Sequence, residues 1–399
     1  MRALTSVKST ITYALELCLC YSVINYALSK FELHGLPGVR YVEGLFVFLC
    51  CAIVLLNANS RQSSVSKLLL VFSLCCIPSL FAFDQYSLSL HNLTALFVPF
   101  LAYQIGCSIS NQESIYKFKK YMVFIAAMVV ILIVVANQYA TNPMVLVAER
   151  DFTFTIVTLF PFLFLIQNRT VKIILQILAF VVVLISVKRS LILGMAIALV
   201  LYYFFSIYWN KHYGFGTKIW LTLLIAIASV GVFSYMGATQ EINEVIEERF
   251  VDLGSDGASG RDYIYDTMIS KINISSTSQL LFGHGYNAVT MRIFGHPAHN
   301  DVLELIYDYG LIAALLWLTF VLSIGYRSIR LIIKGDVEIG GILIAIWAMW
   351  IAIFVANCIY VNTSISATFY LFFGLFDRQT INSNRYAISQ SASFRRTIQ

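Results

Sequence analysis

The sequence predicts an all-α polytopic membrane protein, and three observations carry that prediction. Of the 399 residues, 59% are apolar and only 12% are charged, whereas soluble globular proteins carry about 25% charged residues. The apolar residues form long unbroken runs from one end of the chain to the other, which excludes both a soluble core and a single cleavable signal. Nor do the runs alternate in the short segments of an outer-membrane barrel. In lipid every backbone polar group must be satisfied within its own segment, so the runs are read as helices.

Runs of roughly 17–25 apolar residues give about twelve spanning helices. They cover residues 10–29, 41–57, 66–83, 91–109, 120–139, 152–167, 170–186, 190–208, 217–236, 301–326, 338–358 and 362–376. The chain thus divides into spanning helices over 1–236, a loop module over 237–300, further spanning helices over 301–376 and a tail over 377–399. An even number of spans puts both termini on one side, and two thirds of the 27 Lys and Arg residues fall there. Cytoplasmic loops are enriched in these residues, so both termini are expected in the cytoplasm and the loop module outside it. The eight cysteines (Cys18, Cys20, Cys50, Cys51, Cys75, Cys76, Cys107 and Cys358) all lie in apolar runs. They offer neither a disulfide framework nor metal-ligand spacing.

Residues 237–300 are the one long hydrophilic stretch. A connector between neighbouring helices needs only a few residues, so a stretch of this length is read as a functional module. Inside it the pattern predicts a helix over 260–272. Ser259 stands as N-cap, Asp262 completes a capping box, and Ile264, Met268, Ile269 and Ile272 form an apolar face. Arg261 falls in the first turn, where the helix dipole is positive and backbone amides are free. A cation there extends a site suited to an anion. The plain alternative is a surface arginine paired with Asp262 or Asp266, and the sequence leaves both open.

The stretch from Leu281 to Gly310, LFGHGYNAVTMRIFGHPAHNDVLELIYDYG, holds the other candidates. Gly283 and Gly285 bracket His284 in a tight turn. Further on, His296 precedes Pro297, which stiffens the approach to Asn300 and Asp301, either of which can cap the helix that follows. His299 is then held at a helix N-terminus, whose positive end favours the neutral imidazole and suits it to accept a proton. The alternative is a histidine that only assists the cap. No HExxH or second His at ligand spacing points to zinc.

Lys188 and Arg189, in ISVKRSLILG, lie in a tight connection on the side where cations are disfavoured. Ionisable residues at the membrane edge mark substrate paths; snorkelling to lipid headgroups is the alternative. Arg150, in Glu149-Arg150-Asp151, is a further cation on the same side. Several guanidinium groups suit a diphosphate, which each can grip bidentately. A histidine suits removal of a proton from an attacking hydroxyl. Fixed cations stabilise a leaving diphosphate without a metal. Those are the needs of glycosyl transfer from a lipid diphosphate.

Over residues 150–330 the chain resembles the bacterial O-antigen polymerase and O-antigen ligase superfamily (Wzy and WaaL types). The features that carry the resemblance are KRS after a spanning run, a GRD helix in a long loop, LFGHG, and the AHNDVLELIYDYGLIA block. Ala313 stands where the family often has a second glycine, a departure that touches helix packing more than chemistry. The resemblance implies a GT-C-like, metal-independent, inverting glycosyltransferase without a cofactor, with its active site on the periplasmic face of the bacterial inner membrane. It implies Arg189, Arg261 and His299 as catalytic residues; beside them we expect Lys188, Arg150, Asn300 and His296 in substrate binding. The implied substrates are undecaprenyl-diphosphate-linked glycans. Membrane lipids and a chain-length regulator protein are the further partners, with no nucleic acid. The expected reaction is polymerisation of lipid-linked repeat units. Transfer to lipid A-core by a ligase is the nearest rival. A polysaccharide or lipid transporter is the rival of another class, and it would show internal repeats and broken helices.

Overall fold

The computed structural model describes residues 63–81, 90–109, 151–166, 168–185, 189–209, 261–356 and 367–377. Among these residues every regular element is helical. We number the helices in chain order: α1 Ser64–Cys76, followed by a 3₁₀ turn at Ile77–Leu80; α2 Leu90–Ile109; α3 Asp151–Leu163; α4 Arg169–Ile185; α5 Arg189–Tyr203, ending in a π-helical turn at Phe204–Trp209; α6 Arg261–Asn273; α7 Thr277–Phe282; α8 Asp301–Ile333; α9 Val337–Ala356; and α10 Ala367–Asp377. Helices therefore occur at the predicted spans from 66–83, 91–109, 152–167, 170–186, 190–208, 301–326, 338–358 and 362–376. The spans at 10–29, 41–57, 120–139 and 217–236 lie outside the described residues, as do Ser259 and the tail from 378 onward.

Among the described residues two helices, α8 and α9, are long and apolar enough to cross a membrane. Helix α8 runs past its predicted end at 326, through Arg327 and Arg330, to Ile333. Backbone hydrogen bonds do not require apolar side chains, and cations suit a helix C-terminus. Gly310 breaks α8 with φ 86° and ψ 170°. The part after the break, residues 311–333, is about 35 Å long at ~1.5 Å per residue, enough to cross a hydrocarbon core of ~30 Å. The part before it carries Asp301, Glu304 and Asp308, all fully buried.

The described helices fall into two compact units. In one, α2 and α10 approach at glycine: a Cβ on Gly374 would clash with the Tyr103 backbone, and one on Gly106 would lie 2.7 Å from Leu375 N. Phe162 of α3 meets Phe372 of α10 edge to face at 5.4 Å. Gln104 Nε2 donates to Ser66 Oγ in this apolar setting, the kind of polar link that joins helices in lipid. The other unit holds α5 to α9. Gly194 of α5 lies against Ile353 of α9, and Gly325 of α8 against the Trp347 ring. Small residues let the backbones come close. Trp317 then stacks on Phe354 at 3.8 Å, and Trp347 Nε1 donates to Val321 O at 2.8 Å.

Candidate active site

The site is built by α6, α7 and the turn that leads into α8. Helix α6 spans Arg261–Asn273, one residue later than the pattern predicts. It docks through Ile264, Met268 and Ile272, with Met268 fully buried against a small core of Ala288, Val289, Ala298 and Tyr307. Ile269, predicted on the same face, is 47% exposed. At 100° per residue it lies one step round the helix from Met268, off the seam. Lys271 in the last turn complements the dipole.

Helix α7 begins with a capping box. The Ser276 hydroxyl accepts from the Gln279 amide, and the Ser276 amide donates to Gln279 Oε1 at 3.0 Å. Gly283 closes α7 at φ 83° and Gly285 follows at φ 127°. Between them His284 lies flat on the Tyr307 ring, 3.9 Å apart and 5° from parallel. The His284 amide donates to Tyr307 O at 2.8 Å and the Gly285 amide to Asp308 O at 3.1 Å. The crossing is glycine on glycine. A Cβ on Gly283 would lie 2.6 Å from Tyr309 N, and one on Gly310 2.6 Å from Gly283 N. The break in α8 at Gly310 leaves the carbonyls of Tyr307 and Asp308 available to this turn.

The His284 ring is fixed from both sides. Nδ1 lies 3.2 Å from Tyr307 O; a carbonyl only accepts, so Nδ1 carries the proton. Nε2 lies 3.1 Å from Ser275 Oγ. Burial lowers the His284 pKa below its usual value, the Tyr307 carbonyl raises it, and the Arg292 charge lowers it. Burial likewise raises that of Tyr286, and the Asp308 carboxylate adds to the rise.

His299 sits at the entrance to α8 with φ 58°. A non-glycine residue there costs about 1–3 kcal/mol and persists only where its surroundings hold it. They do. Asn300 is the N-cap, its Oδ1 accepting from the Val302 amide at 3.1 Å and the Leu303 amide at 3.2 Å. The Ala298 amide donates to Glu304 Oε1, and the Val289 amide to Asp308 Oδ1 at 2.9 Å. The Tyr265 hydroxyl donates to the His299 carbonyl at 3.3 Å. Phe294, His296 and His299 follow as a series of nearly parallel rings, 5.7 Å and 6.2 Å apart, with the two histidines exposed. His296 Nδ1 donates to Pro297 O at 2.9 Å.

Three of the predicted site residues (His296, His299 and Asn300) thus share one turn. Arg261 belongs with them through Tyr265: residues four apart occupy one helix face, and Tyr265 on that face bonds the His299 backbone. Arg261 is half-buried. Among the described residues it makes no ion pair with Asp262 or Asp266. Arg189 is the first residue of α5, but its side chain lies outside the described residues, as do Lys188 and Arg150. Sequence reading missed Tyr265, Glu304 and Asp308. Their spacing carries no signal of its own, because their partners are backbone groups elsewhere in the chain.

The stretch that builds this site also has relatives. Residues 174–318, from α4 into α8, match a family model described as O-antigen ligase. Over this segment, about a third of the chain, the match supports a likeness to the O-antigen ligase and polymerase superfamily. That family consists of membrane enzymes of glycosyltransferase type, and the matched stretch contains Arg189, Arg261, His296, His299 and Asn300. No curated protein matches the chain.

Proposed function

We propose that the protein is an O-antigen polymerase. It moves a growing glycan from undecaprenyl diphosphate onto a hydroxyl of a lipid-linked repeat unit, at the periplasmic face of the inner membrane. One observation carries the reading: α6 is bonded through Tyr265 to the backbone of His299, with Arg261 one turn away on the same helix face. In this mechanism the acceptor oxygen bonds to the anomeric carbon as the bond from that carbon to the diphosphate oxygen breaks, inverting the centre. His299 takes the proton of the acceptor hydroxyl. Arg261 and Arg189, supported by Lys188 and Arg150, hold the diphosphate as its charge develops. The glycosyl lipid supplies the leaving group, and the cations stabilise it in the place a metal would take. About twelve helices hold the polyprenyl chains, with both termini in the cytoplasm.

The test is a surface-polysaccharide ladder. Arg189→Ala and Arg261→Ala are expected to abolish laddering while the protein is still made; normal ladders from both contradict the diphosphate assignment. His299→Ala with full activity removes the base. The ligase reading has the wording of the matched family model in its favour, and its donor chemistry is the same. Deletion separates the two. Loss of a polymerase leaves one repeat unit on the lipopolysaccharide. Loss of a ligase leaves none, with lipid-linked polymer accumulating.

A further inference from the structure

We infer that Glu304 and Tyr265 are positioning residues that clamp the backbone around His299 and so set the aim of its imidazole. The inference rests on His299 as the base proposed above. His299 adopts a left-handed conformation that its own side chain does not favour. Two side chains from different helices grip the chain on either side of it. Glu304, one turn into α8, accepts the Ala298 amide through Oε1. Tyr265, in the middle of α6, donates to the His299 carbonyl at 3.3 Å. Asn300 then caps α8 immediately after, so the turn cannot relax by unwinding the helix start.

Glu304 is fully buried. Burying a carboxylate is costly where an apolar side chain of similar size would stabilise. Among its contacts the carboxylate supplies a fixed acceptor for the backbone amide at the residue before the base. Tyr265 makes a second connection: it ties the orientation of His299 to the helix that carries Arg261. A base and a diphosphate site that must act on the two ends of one reacting centre gain from being held by the same clamp, because small displacements of reacting groups cost large factors in rate.

The experiment measures transfer kinetics of the full-length purified protein with a lipid-diphosphate-linked repeat unit, for Glu304→Ala, Glu304→Gln and Tyr265→Phe, each alone and combined with His299→Ala. Glu304→Ala is expected to lower kcat by roughly tenfold to a hundredfold, the range for a bond to a charged acceptor. KM for the lipid donor should hold. Glu304→Gln is expected to restore most of the rate, because its amide oxygen still accepts. Tyr265→Phe is expected to lower kcat by about two- to tenfold. In the His299→Ala background none of the three should reduce the residual rate further. Equal losses with and without His299 would mean a purely structural role and would overturn the inference. If Glu304→Ala does not fold, Tyr265→Phe decides: an unchanged kcat overturns the clamp. A fully active His299→Ala overturns the base assignment, and the clamp with it. Inactive His299→Ala beside wild-type rates in Glu304→Ala and Tyr265→Phe overturns the clamp alone.

Discussion

Replacing Gly310 with alanine attacks the crossing on which the site is built. Two costs can be worked out. Gly310 sits at φ 86° and ψ 170°, a region essentially reserved for glycine, and an alanine held there costs about 1–3 kcal/mol. Its Cβ would also meet the Leu281 backbone and lie 2.6 Å from Gly283 N, where real Cβ contacts stay beyond 3.0 Å. These neighbours are backbone atoms and cannot swing aside, so overpacking adds about 1–3 kcal/mol. The total is about 2–6 kcal/mol. At about 2–4 °C per kcal/mol for a unit of this size, the melting temperature should fall by at least ~4 °C. Relief of the clash requires the LFGHG turn to lift off, losing the bonds from the His284 amide to Tyr307 O (2.8 Å) and from the Gly285 amide to Asp308 O (3.1 Å). Polymer laddering should fall with it. Gly335→Ala is the control. Its φ is 93°, but a Cβ there meets nothing within 4 Å, so it bears the backbone strain without the clash. The assay is thermal unfolding of purified protein in detergent, beside ladders from the same variants. If Gly310→Ala melts at or above Gly335→Ala and ladders normally, the reasoning is refuted.

The remaining predictions concern the LFGHG turn and the start of α8. His284 has its pKa lowered from 6.5 in the fold, so the folded module favours the neutral ring. Its stability contribution is then complete above the unfolded value and is lost as pH falls below it. Unfolding followed from about pH 7.5 to pH 5 should show the loop module weakening on acidification. His284→Gln should flatten that dependence, and an identical pH profile in the variant would count against it. Asn300→Ala removes the cap of α8 and should lower stability by about 0.5–2 kcal/mol, with Asn300→Asp restoring it. Denaturant unfolding reads this, and an unchanged midpoint would show that the cap contributes nothing.

Much of the frame was legible in the sequence because it rests on local physics. Ile264, Met268 and Ile272 fix a helix and its buried face by spacing alone, and Asn300 before an apolar run marks a helix start. Ile269 was misassigned for the same reason: spacing gives a face only to within one residue's rotation. The capping box at Ser276 and Gln279 is legible too, as S-x-x-Q, although the helix it starts has only six residues. The close crossing of Gly283 and Gly310 was not legible. Each glycine alone is unremarkable, and only the tertiary contact makes a Cβ impossible. The acidic residues of α8 show the same limit. Glu304 accepts the Ala298 amide in the turn that carries the site, and Asp308 accepts the Val289 amide ahead of it; nothing in their spacing announces either bond. Tyr265 reads as one more aromatic of the predicted 260–272 helix until its hydroxyl is seen on the His299 carbonyl.

The central claim is that this chain alone transfers a glycan from a lipid diphosphate, with His299 as base. The direct measurement uses purified protein in vesicles, a lipid-diphosphate-linked repeat unit and a metal chelator, and follows released polyprenyl diphosphate and polymer length. Wild type should release the diphosphate in step with chain growth, and His299→Ala should do neither. Equal turnover by His299→Ala, or no transfer by the folded wild-type protein, would contradict the account.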